Sequence, residues 1–333
     1  MAATATRLDV LGIGNAIVDV LATAEDTFLA ARNLPKGAMN LIDAGQADAL
    51  YAAMGPGLEC SGGSAANTIA GVASLGGRAG YVGKVRDDQL GAVFSHDIRA
   101  LGVEFRTRPA TAGAATARCL ILVTPDAQRT MQTYLGACVG LTPADIDAEQ
   151  VAAAEVTYLE GYLWDPPQAK EAFRKAVKIA HEHGRKIALT LSDPFCVDRH
   201  RGEFRDLVDN HADIVFANEH EIISLYQARD FDQALQQVRG GRRICALTRS
   251  AKGSVVVRGD EVHVIDAAPV DRVVDTTGAG DLYAAGFLHG LTQGEALPRC
   301  AEIGGIAAAE IISHVGARPQ VALGELLRQR RKS

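Results

Sequence analysis

The residues best suited to chemistry lie in one stretch, Val274–Leu291, which reads Val-Asp-Thr-Thr-Gly-Ala-Gly-Asp-Leu-Tyr-Ala-Ala-Gly-Phe-Leu-His-Gly-Leu. The β-branched pair Val273 and Val274 predicts a strand that runs into a Gly-Ala-Gly turn. The small or apolar residues Leu282, Ala285, Gly286 and Leu288 predict a helix leaving it. A strand, turn and helix of this kind aims the free N–H groups of the first helical turn outward, with the positive end of the helix dipole behind them. Gly278, Ala279 and Gly280 would then form an anion hole. Asp281, just inside the helix, places a carboxylate beside that anion, where it would repel a resting phosphate. The placement has a use if the carboxylate takes a proton from a hydroxyl attacking phosphorus while the amides stabilise the transferring charge. An aspartate at a helix N-terminus is expected to stay ionised at neutral pH, because the dipole lowers a pKa that starts near about 3.9. Taken alone, the same residues could equally be a helix cap and a turn.

Other polar residues stand where α/β folds place ligands. Leu8–Ile13 predicts a buried strand ending in Gly12-Ile13-Gly14-Asn15-Ala16-Ile17-Val18-Asp19. This imitates a dinucleotide fingerprint, but Ile17 replaces the third glycine and no helical pattern follows, so a nicotinamide cofactor is set aside. Asn15 and Asp19 could hold vicinal hydroxyls or could simply turn a loop. Gly62 and Gly63 open an alanine-rich helix to about Leu75, with Asn67 on its first turns within reach of the same hydroxyls. Asn218 and Glu221 share one face of a helix start, fitted either to order metal-bound water or to cap the helix. Thr248–Gly253 is a glycine-ended turn between strands.

The elements that must position these residues alternate. Strands are predicted at 80–85, 156–160, 186–191, 214–217 and 244–248, and helices at 44–54, 88–101, 167–183 and 219–227. That pattern implies a doubly wound α/β fold, a mostly parallel sheet with helices on both faces. Two stretches break it. Leu34–Asp43 has no helical period, and Thr116–Val123 with Thr130–Tyr134 reads as a hairpin around Pro125–Arg129. They predict a small β-sheet inserted as a lid, built from segments about 16–44 and 104–138 of a single domain spanning 1–333.

Composition narrows the class. The 333 residues are 47% hydrophobic and 22% charged with 11 prolines, which describes an ordered globular chain. The net charge is −6 and the one basic cluster is Arg328–Lys332, so no nucleic-acid footprint is expected. Six cysteines without a C-x-x-C pair predict reduced core thiols. No apolar run reaches the roughly 18 residues of a membrane span, and Met1–Asp9 lacks a signal core, so the expected location is the cytoplasm.

With Gly62-Gly63 and Asn67, Asn218 and Glu221, and Asp275-Thr276-Thr277-Gly278-Ala279-Gly280-Asp281 in this order, the chain resembles the ribokinase or PfkB carbohydrate-kinase family over essentially its whole length. Within that family it is similar to the adenosine-kinase branch, through Gly14–Asp19, the serine after Gly62-Gly63, and Asp126–Arg129. The resemblance implies a ribokinase-like fold that phosphorylates a nucleoside, most simply adenosine, at its 5′-hydroxyl with ATP and Mg2+. It implies that Asn15, Asp19, Gly62, Gly63 and Asn67 hold the ribose, that Asp281 is the base, and that Arg129 folds onto the γ-phosphate. Asn218 and Glu221 would organise magnesium through water, Thr248, Gly253 and Thr276 would bind ATP, and Asp275 and Thr277 a potassium-like cation. Ile17, Met39, Leu41, Met131, Tyr162, Leu163 and Phe195 fall in segments that would line a base pocket, although they fit equally well as core. Tyr162-Leu163-Trp164 departs from the phenylalanine-rich stretch of eukaryotic relatives, which leaves the base open. A ribose or fructose kinase is the alternative, and a catalytically silent nucleoside-binding protein a further one, although that reading predicts loss of Asp281, the glycines or Arg129. Either a monomer or a homodimer fits.

Overall fold

A computed structural model of the chain describes residues 7–126 and 128–330. The first residues inspected for a signal core, Ala127 of the hairpin and the end of the basic tail lie outside them. The strands are β1 (Leu8–Ile13), β2 (Ile17–Thr23), β3 (Met39–Leu41), β4 (Leu58–Gly62), β5 (Ala79–Val82), β6 (Glu104–Phe105), β7 (Ala117–Val123), β8 (Arg129–Tyr134), β9 (Ala154–Glu160), β10 (Lys186–Thr190), β11 (Ile214–Asn218), β12 (Ile244–Thr248), β13 (Ser254–Arg258) and β14 (Glu261–Ile265). The helices are α1 (Asp26–Ala31), α2 (Ala44–Ala53), α3 (Ser64–Ser74), α4 (Gln89–Ala100), α5 (Ala148–Ala153), α6 (Pro167–Glu182), α7 (Pro194–Asn210), α8 (Glu219–Tyr226), α9 (Phe231–Val238), α10 (Ala279–Thr292), α11 (Leu297–Ile311) and α12 (Leu323–Arg330).

Among the described residues these strands form two sheets. The larger runs β14-β13-β12-β11-β10-β9-β1-β5-β6 and is parallel except where β13 and β14 join as antiparallel strands. Its inner strands are largely apolar on both faces, as a sheet covered on both sides requires, while the edge strand β14 is largely exposed. Val10, Tyr158 and Phe216 point into a core with Ile69 of α3 and Leu282 and Phe287 of α10. Their neighbours Leu11, Leu159 and Val215 point into a second core with Phe173 of α6, Phe204 of α7 and Ile222 of α8. Helix α10 therefore lies within the first core layer.

The smaller sheet runs β3-β8-β7-β2-β4. In β2 the residues alternate between half-exposed Ile17, Asp19 and Leu21 and buried Val18, Val20 and Ala22, the period-two pattern of a sheet with one covered face. The hairpin β7-β8 forms as predicted. Leu58–Gly62 also belongs to this sheet although it lies outside the two predicted segments, and Glu104–Phe105 of the second segment pairs with the larger sheet instead.

Val273 and Val274 do not form the predicted strand. Val273 is exposed, and the N–H groups of Val274 and Asp275 both donate to Ile312 O just past α11, at 2.8 and 3.3 Å. The glycine turn is thus approached by an irregular segment held to the end of a helix. Helices α1, α5, α7, α9, α11 and α12 are also not apparent from the sequence.

Three rings, Tyr81, Phe94 and Phe105, meet at centroid distances of 5.5–6.1 Å under the edge of the larger sheet. All three are buried. Phe94→Ala should therefore lower the unfolding free energy by about 3–5 kcal/mol, the range for emptying a buried aromatic site. Urea denaturation measures this, and a loss below about 1 kcal/mol would show that the site collapses without cost.

Candidate active site

Helices α3 and α10 both begin on a glycine, so neither is capped by the side chain of its own N-cap residue. By contrast α2, α4, α7, α8 and α9 each start on an aspartate or asparagine whose side chain accepts a first-turn N–H. The two glycine-started ends meet at Asp281, the third residue of α10. Its Oδ1 accepts the Ser64 hydroxyl at 2.6 Å and its Oδ2 accepts Asn67 Nδ2 at 2.9 Å. Gly278 sits in the left-handed region, with φ 79° and ψ −2°, which a residue with a side chain adopts only at a cost. Of the turn's amides, Ala279 N–H is engaged by Thr276 O at 3.2 Å. The amides of Gly278, Gly280 and Asp281 bond to no described residue, so they replace the predicted trio as the free donors. Gly280 is exposed with open space where a side chain would be.

Asp281 does not follow the dipole expectation. Removal from water lifts its carboxyl above the ordinary value, and the Ser64 and Asn67 bonds and the charge of Arg318 only partly oppose this. Asp19 behaves likewise, pushed up to about 6 by burial against the charges of Arg318 and Arg129 and with the help of Asp281.

Asp19 lies on strand β2, so it does not turn a loop, the alternative its residue type allowed. Paired residues on neighbouring strands share a face, so Asp19 stands between Cys60 of β4 and Cys119 of β7. Cys119 in turn pairs with Thr133 of β8, Met131 with Met39 of β3, and Thr133 with Leu41. The predicted Ile17, Met39, Leu41 and Met131 thus occupy one face with Asp19. The carboxylate packs against the Cα of Gly62, where any side chain would collide with it.

Asn15 is buried and donates its Nδ2 to Glu160 Oε1 at 2.7 Å. Tyr162 is partly exposed and its hydroxyl donates to Ser192 O at 3.2 Å, while Phe195 is 75% exposed on the first turn of α7. Leu163 is fully buried beside Trp164 in the second core and contributes no pocket surface.

Asn218 and Glu221 form a complete capping box. Asn218 Oδ1 accepts the N–H groups of His220 and Glu221, and Glu221 accepts Asn218 N–H at 2.9 Å and Asn218 Nδ2 at 2.6 Å. Burial pushes Glu221 up to about 7, and the charges of Asp193 and Asp281 add to this. Among the described residues no three His, Cys, Asp or Glu side chains converge to hold an ion directly. Mutual repulsion between Glu221, Asp193 and Asp281 nevertheless fits a cation held through water. Thr248 ends β12 and faces Ser254 across the hairpin closed by Gly253, while Thr276 is exposed beside the turn.

Asp275 and Arg129 take up each other. The Arg129 guanidinium, predicted for the γ-phosphate, pairs with Asp275 Oδ2, predicted for a cation, and both side chains are buried. Asp275 also accepts Thr277 N–H and Gly316 N–H, each at 3.0 Å. This pair ties the smaller sheet to the glycine turn.

Several participants escaped the sequence reading. Arg318 donates to Ala66 O at 2.8 Å and to Ser61 O at 2.6 Å, so it clasps both sides of the Gly62-Gly63 turn while its charge acts on Asp19 and Asp281. Ser61 also bonds Asp97. Ser64 and Glu160 complete the set. In the sequence Ser64 stands out only as the serine after Gly62-Gly63, without a role, and Glu160 leaves a signal as an acid ending a largely apolar strand.

A doubly wound larger sheet, a smaller sheet carrying one acid, and two glycine-started helices meeting at a second acid are the frame of a phosphotransferase. The profile of the pfkB family carbohydrate kinases matches residues 59–322, and the chain belongs to that family. Its fold is similar to a probable sugar kinase from Rhizobium etli CFN 42 (TM-score 0.91, 54% identity, 98% of this chain and 99% of that one). It is similar also to the adenosine kinase of Sinorhizobium meliloti (TM-score 0.90, 55% identity, 98% and 100%). Adenosine kinase of Saccharomyces cerevisiae is 28% identical over 327 residues, covering 91% of this chain and 94% of the yeast protein.

Replacing Asp275 by alanine strands the buried Arg129 charge and should cost about 3–5 kcal/mol of stability by chemical denaturation. The double variant Arg129→Met/Asp275→Ala should cost less than the sum of the two single losses. Strict additivity would mean the two side chains are not coupled.

Proposed function

We propose that the protein transfers the γ-phosphoryl group of ATP to the 5′-hydroxyl of a nucleoside, with adenosine the first choice. The observation that carries this is the convergence on Asp281 of two glycine-started helices beneath a sheet face that pairs one carboxylate, Asp19, with apolar residues. Asp19, Asn15 and Asn67, with the backbone at Gly62 and Gly63, hold the ribose hydroxyls. Ile17, Met39, Leu41 and Met131 supply an apolar wall for the base, with Tyr162 and Phe195 at the opposite rim. A free sugar would leave that wall uncovered. The 55% identity to an adenosine kinase supports the same choice.

Asp281 accepts the proton of the attacking hydroxyl, and a carboxyl raised by burial is a better base than an ordinary aspartate. The free amides of Gly278, Gly280 and Asp281 receive the charge of the transferring phosphoryl group. Thr248, Gly253 and Thr276 lie along the ATP side. Glu221 and Asn218 would hold Mg2+ through water, and the ion would supply positive charge against the phosphates. The smaller sheet is a lid within a single domain. Arg129 turns from Asp275 to the γ-phosphate as the lid closes, leaving Asp275 and the Thr277 backbone open to a monovalent cation.

A sugar kinase is the second reading, favoured by the 54% identity to a probable sugar kinase. A coupled ADP-release assay with Mg-ATP against adenosine, guanosine, inosine, cytidine, ribose and fructose separates the two. Turnover led by adenosine is expected, and turnover confined to the free sugars would sink the nucleoside reading. Asp281→Asn should bind nucleoside within a few fold of wild type while kcat falls by about 10²–10⁴. Retained kcat would remove Asp281 from the base role.

The acid limb of kcat/KM follows from Asp19. Its carboxyl is raised from 3.8 to about 6, so the charged form that accepts two hydroxyls is lost as pH falls through about 6. A pH profile flat down to about pH 4, near the ordinary aspartate value, would show that Asp19 does not hold substrate.

A further inference from the structure

Glu160 is a buried carboxylate to which the proposed chemistry gives no part. It ends β9 at the centre of the larger sheet and is 1% exposed. Its side chain turns toward β1 and the start of α3. Oε1 accepts Asn15 Nδ2 at 2.7 Å, and Oε2 accepts Ala65 N–H at 2.8 Å and Asn15 N–H at 3.3 Å. The chain at Gly14 passes so close to this carboxylate that a side chain there would strike both it and Ala65.

A carboxylate only accepts hydrogen bonds, whereas an amide has a donating and an accepting end. Glu160 therefore commits the NH2 of Asn15, and Asn15 Oδ1, which bonds to no described residue, is the end left for a ligand. The same logic repeats at Asn67. Asp281 takes its Nδ2, and its Oδ1 is buried without a partner. Two acid-clamped asparagines thus present their carbonyl oxygens beside the Asp19 carboxylate, a set of acceptors that matches hydroxyl donors.

We propose that Glu160 is a positioning residue for substrate recognition, locking the Asn15 amide so that its carbonyl oxygen faces the substrate hydroxyl. This rests on the reading of Asn15 as a substrate-binding residue. Replacing the acid by an amide would free Asn15 to present either end, and half of its orientations would set an N–H against a hydroxyl. Protonating Glu160 has a similar effect, because its new O–H must face an N–H donor. Burial pushes this carboxyl up to about 7, opposed by the Ala65 and Asn15 bonds and assisted by the charge of Asp281 on α10. The other titratable groups around it are Tyr81 of β5, Cys138 in the turn after β8, Tyr158 of β9, Tyr162 after β9 and Cys196 of α7. All of these are neutral near pH 7, their ionisations lifted by burial. The locking contact weakens as pH falls through about 7, one step above the loss of the Asp19 charge.

The test uses the full-length enzyme and whichever acceptor the wild type turns over best, with steady-state kinetics over about pH 5 to 9. Glu160→Gln should raise the acceptor KM about tenfold, the effect of one misdirected hydrogen bond of about 1.4 kcal/mol. The ATP KM should stay put, and the step near pH 7 should vanish while the step near 6 remains. The double variant Asn15→Asp/Glu160→Gln exchanges donor and acceptor across the same contact, turns an oxygen to the substrate again, and should restore the acceptor KM. Parallel changes in both KM values, an unchanged acceptor KM, or no rescue would overturn the proposal. So would loss of the folded state in both variants by thermal melting, since Glu160 would then serve structure alone. Unfolding of the single variant with a folded, wild-type-like double variant would support it. Wild-type turnover on free sugars alone defeats the nucleoside reading by itself, before any variant is compared.

Discussion

The structure depends on one electrostatic arrangement, a carboxylate taken out of water at the meeting of two helix N-termini. Asp281 would be costly there without donors, and α3 supplies them through Ser64 and Asn67, which lie 217 and 214 positions away in the chain. Glycine starts supply no capping side chain of their own, so first-turn amides of α10 stay free as a binding surface, while at α3 Glu160 takes the Ala65 N–H. Helix α10 can hold this position because it is buried on three sides, against the sheet, α3 and α11. Phe216 and Phe287 meet edge to face at 5.5 Å, and Tyr283 donates to Ser254 Oγ at 2.9 Å. The rigid core layer and the site are therefore the same object seen from two ends.

Around this point the protein gathers more acid than its surface composition suggests. Asp19, Asp281, Glu160 and Glu221 all have carboxyls raised by burial, while Arg318 and Arg129 bring the compensating charge. In this structure one guanidinium is held by backbone carbonyls beside Gly62-Gly63 and the other is paired with Asp275. Planar forks suit this role, since they can bond oxygen and project charge in different directions at once. The smaller sheet and the larger one are thereby joined through charge as well as through apolar packing.

Much of this was legible in the sequence because local rules dominate where the signal is local. The strand pattern, the hairpin and the glycine-started helix at Asp281 were all readable, and so was membership of the PfkB family, through Gly62-Gly63, Asn67 and Asp275–Asp281. The errors have physical causes. Val273-Val274 has strand propensity, but its hydrogen bonds go to the end of α11, a tertiary contact that propensity does not encode. Helix α7 hides its period because the chain kinks at His200, where φ is −124° and ψ 24°. Helix α11 carries Gly304-Gly305, two poor helix formers, in its interior, which weakens its sequence signal. Arg318 and Ser61 carry no motif, since their roles come from a fold that brings residues 61 and 318 together. The expectation of a lowered Asp281 pKa considered the dipole and omitted burial, which outweighs it.

The thiols beside Asp19 have a consequence for the protein's chemical durability. Cys60 and Cys119 flank the carboxylate, one strand to each side, so they stand about 9–10 Å apart, two strand spacings and beyond the reach of a disulfide. Burial and the neighbouring charge push their ionisations up to about 11 and about 12. Almost no thiolate exists at neutral pH, and it is the thiolate that reacts with peroxides and electrophiles. Burial, helped by the neighbouring Asp19 carboxylate, thus keeps these thiols in the inert form, and oxidative inactivation through the two residues is disfavoured.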